Sequence, residues 1–367
     1  MDIVVEPAQE KMKNPAVNTS ALPIFRFFAA CVVCFFHFGQ KTDFYHHVPE
    51  IFKAGAEMVT FFFVLSGFLL YLGYHQRELV SLRQYFMKRA IRILPLYYVA
   101  FLMTVVLRGI AGKLSFSEFF INLFCLQSWF VSPISFNFTS WFVSDLVFFY
   151  YLFPFILSFL KKNKPDPAYM IAVSLLLWLV TQGVLTRLLN SSFYLGYPSH
   201  SHDLLFYLPF SHFCSFFMGI CGAYCVRKYD LRERRGEVVS LLTTAILLGA
   251  VAMLIQTLPR FTRSLGFELP FYSSLYAPVF LAVILNITLS RNSLLRMLSW
   301  PRFVFWGEVS YALYIIQAPM DELYKYLIPG LFTVQEEVKL LLFFVLLVSV
   351  SAILTSWEKL VVRRIVR

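Results

Sequence analysis

Long apolar runs recur along the whole chain, and no other feature limits its fold so strongly. About ten windows of roughly 17–25 residues, each long enough to cross a bilayer, begin near Leu22, Ala54, Leu94, Trp141, Ala168, Tyr207, Val238, Phe271, Phe303 and Val338. A backbone in lipid must satisfy its own N–H and C=O groups, so runs of this length predict helices. The chain is 59% hydrophobic and only 14% charged, against about 45–50% and 25% in soluble domains. The expectation is an all-α polytopic membrane protein of about ten transmembrane helices. Residues 1–20 read as a disordered cytoplasmic lead, 21–362 as one transmembrane domain and 363–367 as a basic cytoplasmic tail. These spans leave no room for a separate soluble catalytic domain, so any chemistry belongs inside the bundle.

The formal charge of +11 would suggest a nucleic-acid partner in a soluble protein, but the basic residues alternate by loop. Most of the 32 Lys and Arg residues fall in the segments that are cytoplasmic if the N-terminus is inside. That asymmetry follows the positive-inside rule and places both termini in the cytoplasm. Topology therefore accounts for the charge, and no nucleic-acid partner is expected. The polar first 21 residues show no cleavable signal pattern, so the first span reads as a retained anchor. The six cysteines lie mostly in apolar runs and read as small core residues. His46 and His47 lack the carboxylate and third ligand of a metal site and read as a solvated loop, and no metal is expected.

Two costly residues interrupt the first apolar run, Arg26 and His37, with ten residues between them. At about 100° per residue the pair share one helix face, about 16 Å apart along the axis. Ionisable groups at membrane depth usually face a bundle interior or a water-filled path. Arg26 also fits a side chain snorkelling from the helix end, and His37 a satisfied polar contact between helices. Glu57, near the outer end of the second span, lies at the depth of His37 and is a candidate to orient its imidazole; a solvated loop position is the alternative. After the second span, Lys88, Arg89 and Arg92 concentrate cationic groups, with the two guanidiniums at i and i+3 on a helix, suited to phosphate oxygens. An ordinary lipid-headgroup contact also fits them.

The spacing Arg26 to His37 resembles the signature of the acyltransferase 3 family of integral membrane O-acyltransferases. Later blocks resemble the same family in order: Val64-Leu-Ser-Gly-Phe68, then Arg89-Ala-Ile-Arg92 followed by Pro95-Leu-Tyr-Tyr98. Further blocks are Trp141-Phe-Val-Ser-Asp145 with Pro154, Phe216-Phe-Met-Gly219, and Gly307-Glu-Val-Ser-Tyr-Ala-Leu-Tyr314. The resemblance covers nearly the whole chain. It implies a catalytic base at His37 and donor binding by Arg26, Arg89 and Arg92, with Asp145 as a candidate catalytic carboxylate beside the Glu57 already singled out by its depth. Trp141, Tyr311 and Tyr314 become candidates for substrate contact. Two positions depart from the pattern: Asp145 stands where the family has glutamate, and Gln317 where it often has histidine.

The resemblance further implies an acyl-CoA donor, most often acetyl-CoA, used as a substrate with no permanently bound cofactor. Its acceptor would be a hydroxyl of a carbohydrate or other hydroxylated compound, its surroundings membrane lipid, and its location a bacterial-type inner membrane. Lipid-linked and cell-envelope polysaccharides both fit as acceptors. Buried charges of this kind could equally line the path of a transporter or flippase for a polar or anionic substrate. The chain has no Walker motif, GxGxxG, HExxH or GxSxG with triad partners, which argues against an ATP-driven pump and a serine hydrolase.

Overall fold

The computed structural model describes residues 17–76, 81–130, 134–231, 235–327 and 335–365, which form helices and their connections with no strand among them. Most of the predicted lead over 1–20, and the last two residues of the predicted tail, lie outside the described residues. In chain order the helices are α1 Leu22–Phe38, α2 Asp43–His47, α3 Gly55–Tyr74, α4 Leu82–Ile110 and α5 Phe116–Leu123. Next come α6 Trp141–Asn163, α7 Pro167–Leu189, α8 His200–Phe206 and α9 Pro209–Lys228. The remainder are α10 Glu237–Ser264, α11 Ala277–Leu289, α12 Ser293–Leu298, α13 Pro301–Leu327 and α14 Glu336–Ile365.

Among the described residues, 8 helices are long and apolar enough to cross a membrane, rather than about ten. The two predicted spans that differ do so for separate reasons. The run from Phe271 is helical only over the 13 residues Ala277–Leu289. Its approach is a turn in which Ser273 and Ser274 are fully buried. Gln182 Nε2 donates to the Ser273 carbonyl at 3.0 Å, Trp178 Nε1 to the Ser274 carbonyl at 2.9 Å, and Ser274 Oγ to the Ser211 carbonyl at 2.9 Å. Irregular backbone is tolerated at membrane depth where protein side chains satisfy it in this way. Helix α13, at 27 residues, is long enough to cross, but Glu308, Gln317 and its tyrosines dilute the apolar run. Residues Ala312 to Met320 of α13 are all buried, so much of this helix faces protein rather than lipid.

Close helix crossings assemble the bundle. A Cβ on Gly67 would lie 2.0 Å from the Phe216 carbonyl oxygen, and one on Gly219 would lie 2.0 Å from that of Val64. Helices α3 and α9 therefore meet backbone to backbone, in parallel, a closeness that the small residues Gly67 and Gly219 permit. Around this crossing Phe63 packs against Phe142 with ring centroids 4.7 Å apart and against Phe149 at 5.3 Å, bringing α6 onto the same core. The short helix α5 does not cross. Tyr97 and Tyr98 anchor it by donating hydroxyl bonds to the Asn122 and Leu123 carbonyls, at 2.5 and 3.0 Å. Phe116, Phe120 and Phe124 remain exposed along one side, as an interfacial segment requires.

Candidate active site

At one end of the bundle α1 and α13 touch so closely that a Cβ on Gly307 would lie 2.1 Å from Cβ of Pro23. Phe27 and Trp306 close the same contact, with ring centroids 5.2 Å apart. Arg26, one turn beyond Pro23, stands within electrostatic reach of Arg92, Tyr150 and Glu308. Arg92 in turn senses Arg89, Tyr150, Glu358 and Glu308. The three predicted arginines, contributed by α1 and α4, thus belong to one cluster. Arg89 is steadied by aromatic rings, its guanidinium lying 5.4 Å from the Tyr74 ring centre and 6.0 Å from that of Tyr150. Its Nη2 donates to the Tyr74 hydroxyl at 3.4 Å, and its buried Nε has no partner. Neither Arg26 nor Arg92 is hydrogen-bonded or in contact with a carboxylate among the described residues. A group of guanidiniums with uncommitted donors is suited to a phosphate-bearing ligand.

Tyr311 borders this cluster. Its hydroxyl donates to the carbonyl of Ile93 at 3.0 Å, fixing α13 to α4 beside Arg92. Its polar group therefore holds two helices together, which is a positioning contact rather than a free substrate contact. Glu308, on α13, forms an ion pair with Lys359 on α14.

His37 lies near the opposite end of α1, three helical turns away. Its half-buried ring packs 4.5 Å from the ring of Phe138 and contacts Phe36 and Phe38. Among the described residues neither ring nitrogen makes a hydrogen bond or ion pair, so both are uncommitted. The adjacent Asn137 donates Nδ2–H to the Ile315 carbonyl at 3.0 Å, which ties the segment carrying Phe138 to the middle of α13. Glu57 reaches the same end of the bundle, because Gly55 sits so close to Phe36 that an added Cβ would lie 2.4 Å from the Phe36 Cβ. It faces elsewhere: its electrostatic neighbours are Glu50, Tyr45, Tyr272 and Tyr276. The pairing of Glu57 with His37 is therefore not formed. Sequence position fixed the depth of both residues but not the direction in which Glu57 points.

The remaining predicted residues lie on α6 and α13. Asp145 is fully buried, and neither carboxylate oxygen has a hydrogen-bond partner. Ser128 is the polar side chain beside it, although the Ser128 hydroxyl is engaged with Ser144 Oγ at 2.7 Å. Tyr314 is within electrostatic reach of Asp145 and packs against Phe62 and Phe142. One turn before Asp145, Trp141 is buried against Tyr207 and His212, at 5.2 and 5.1 Å between ring centroids. His212 Nε2 faces the Phe206 carbonyl at 2.9 Å, so that nitrogen carries the proton and Nδ1 is a bare, unpartnered acceptor. At the position where the family often has histidine, Gln317 Nε2 donates to the Tyr314 carbonyl at 2.8 Å.

Two apolar surface depressions, one lined by Ala352, Ile353, Ser356, Trp357 and Leu360 and the other by residues of α4 with Leu323, hold none of these side chains. His46 and His47 are exposed, and all six cysteines are free. Sequence reasoning missed Tyr150 and Glu358 as members of the basic cluster. Their only signal was polarity, in the middle of α6 and toward the end of α14, without a motif to join them.

Comparison with known proteins bears on what this arrangement belongs to. The chain is 28% identical over 305 residues to a protein of Acidianus two-tailed virus named "Putative acetyltransferase ORF330", a match spanning 81% of this chain and 82% of that protein. No solved structure matches significantly. The family model described as an acyltransferase domain matches residues 20–357, from just before α1 to within α14. With Arg26 and His37 on one helix, Arg89 and Arg92 drawn to the first of them, and a family match over nearly its whole length, this helical membrane protein belongs to the acyltransferase 3 family.

Proposed function

We propose that the protein is an O-acetyltransferase that takes the acetyl group of cytoplasmic acetyl-CoA and transfers it to a hydroxyl of a cell-surface or lipid-linked carbohydrate. The observation that carries the reading is the polarity of α1, with an arginine cluster at one end and an uncommitted imidazole about 16 Å along the axis. CoA has the matching polarity, with phosphates at one end of a long flexible arm and the thioester at the other. Arg26, Arg89 and Arg92 bind the phosphates. His37 removes the acceptor hydroxyl proton as the oxygen attacks the thioester carbonyl; the C–S bond breaks, and the proton passes to the departing thiolate. Asp145 and Tyr314, buried neighbours on α6 and α13, meet the acceptor or the acyl group. The bilayer is a bacterial-type inner membrane, with the arginine end toward the cytoplasm, as the distribution of basic residues supports.

Purified protein in lipid, given acetyl-CoA and a carbohydrate acceptor, should release CoA thiol and form an acetyl ester. Acceptor uptake into vesicles with no thiol release would instead support a transporter.

A further inference from the structure

The arginine cluster does not stand in an otherwise neutral site. Glu308 and Glu358 come from two helices distant in sequence, yet both lie within electrostatic reach of Arg92, and Glu308 also reaches Arg26. Three contacts hold them there. The Gly307–Pro23 approach sets Glu308 beside the first turns of α1. The Tyr311 hydroxyl bond to Ile93, at 3.0 Å, sets α13 against the turn of α4 that carries Arg92. The ion pair between Glu308 and Lys359 brings α14, and with it Glu358, to the same place. Lys359 is itself seated 5.3 Å from the centre of the Phe305 ring.

We propose that Glu308 and Glu358, which stand near the arginines without touching them, supply the counter-charge of the site, and that a polyanionic donor binds by taking over that role. This rests on the donor reading of the cluster and adds which residues set its affinity. The carboxylates offset the mutual repulsion of Arg26, Arg89 and Arg92 while the site holds no donor, and they compete with the phosphates for the same guanidiniums. Lys359 tempers that competition by engaging Glu308. Its removal frees Glu308 to pair with Arg26 or Arg92.

The consequence is a pair of effects with opposite signs. Removing a competing carboxylate strengthens donor binding, whereas removing Lys359 weakens it. If Glu308 served only as the partner of Lys359, the Glu308 and Lys359 variants would shift binding in the same direction. The two side chains are 43% and 38% exposed, and pairs of that exposure contribute little to folding, so the variants should remain folded.

The test uses the full chain in lipid nanodiscs and coenzyme A as the probe, with binding measured calorimetrically at two salt concentrations. Glu308→Gln and Glu358→Gln should each tighten binding by about five- to tenfold, more at low salt, while Lys359→Gln loosens it and Arg92→Gln removes most of it. Coenzyme A binding that depends on Arg92 but is unchanged or weakened in both glutamine variants overturns the counter-ion proposal and leaves the donor site intact. Equal shifts in Glu308→Gln and Lys359→Gln also overturn it. Failure of the wild type and of both glutamine variants to bind coenzyme A overturns the donor reading, and the proposal with it.

Discussion

Gly307 and Pro23 approach so closely that a Cβ added to the glycine would fall 2.1 Å from Cβ of the proline and 2.4 Å from its backbone carbon. This contact fixes the separation of α1 and α13 one turn from Arg26. Gly307→Ala must push the helices apart, because the opposing atoms are ring and backbone rather than a flexible side-chain end. Such overpacking costs about 1–3 kcal/mol. Displacing Arg26 from Arg92 by even about 1 Å should lower activity substantially. The expected result is a lower melting temperature together with a raised KM for acetyl-CoA, measured in detergent and in reconstituted vesicles.

The α3–α9 crossing gives a contrasting prediction. Gly67 and Gly219 each face a carbonyl of the other helix at 2.0 Å from an ideal Cβ, in the middle of the bundle and away from the arginines. Gly67→Ala or Gly219→Ala should destabilise the fold by about 1–3 kcal/mol or more. The fraction that remains folded should show a donor KM close to wild type. Thermal unfolding read beside kinetics separates this outcome from that at Gly307.

Tyr311→Phe removes one hydroxyl and leaves the ring in place. The lost bond to the Ile93 carbonyl, 3.0 Å in length, is worth about 1 kcal/mol. Because the bond steadies the turn that carries Arg92, the change should appear in donor KM and leave kcat nearly unaltered. A fall in kcat with unchanged KM would instead place the hydroxyl in the chemical step.

Asp145 is buried with both oxygens unpartnered, a costly arrangement for an ionised group. Asp145→Asn keeps the shape and removes the ionisable carboxyl. Stability should hold or rise, while turnover falls by at least about tenfold, the pattern of a group retained for function at the expense of stability. Loss of folding in Asp145→Asn, or full activity, would count against a role in turnover.

Much of this architecture was legible in the sequence, for reasons that can be named. Long apolar runs report helices because lipid permits few other structures, and eight of the predicted spans appear in place. Arg89 and Arg92 were legible as a pair because an i, i+3 spacing holds on any helix, and the small residues Ser66 and Gly67 permit close helix approach, although nothing in the sequence named Gly219 as their partner. The remainder depended on direction. Glu57 shares the depth of His37 but faces Tyr272 and Tyr276, because helical position gives height more readily than the partner faced. The run from Phe271 has the length and hydropathy of one span, although hydrogen bonds from Gln182 and Trp178 hold its first part as a turn. Glu358 joined Arg92 only through the packing of α14 onto α13, a contact that no local motif encodes.

The central claim is that His37 removes the acceptor proton while the arginine cluster at the other end of α1 holds the donor. Its most direct test is the acetyl-transfer rate of purified His37→Ala in lipid, with coenzyme A binding measured on the same sample. Turnover should fall by at least about a hundredfold with coenzyme A affinity unchanged. Turnover within a few-fold of wild type in a folded, coenzyme A-binding His37→Ala protein would contradict it.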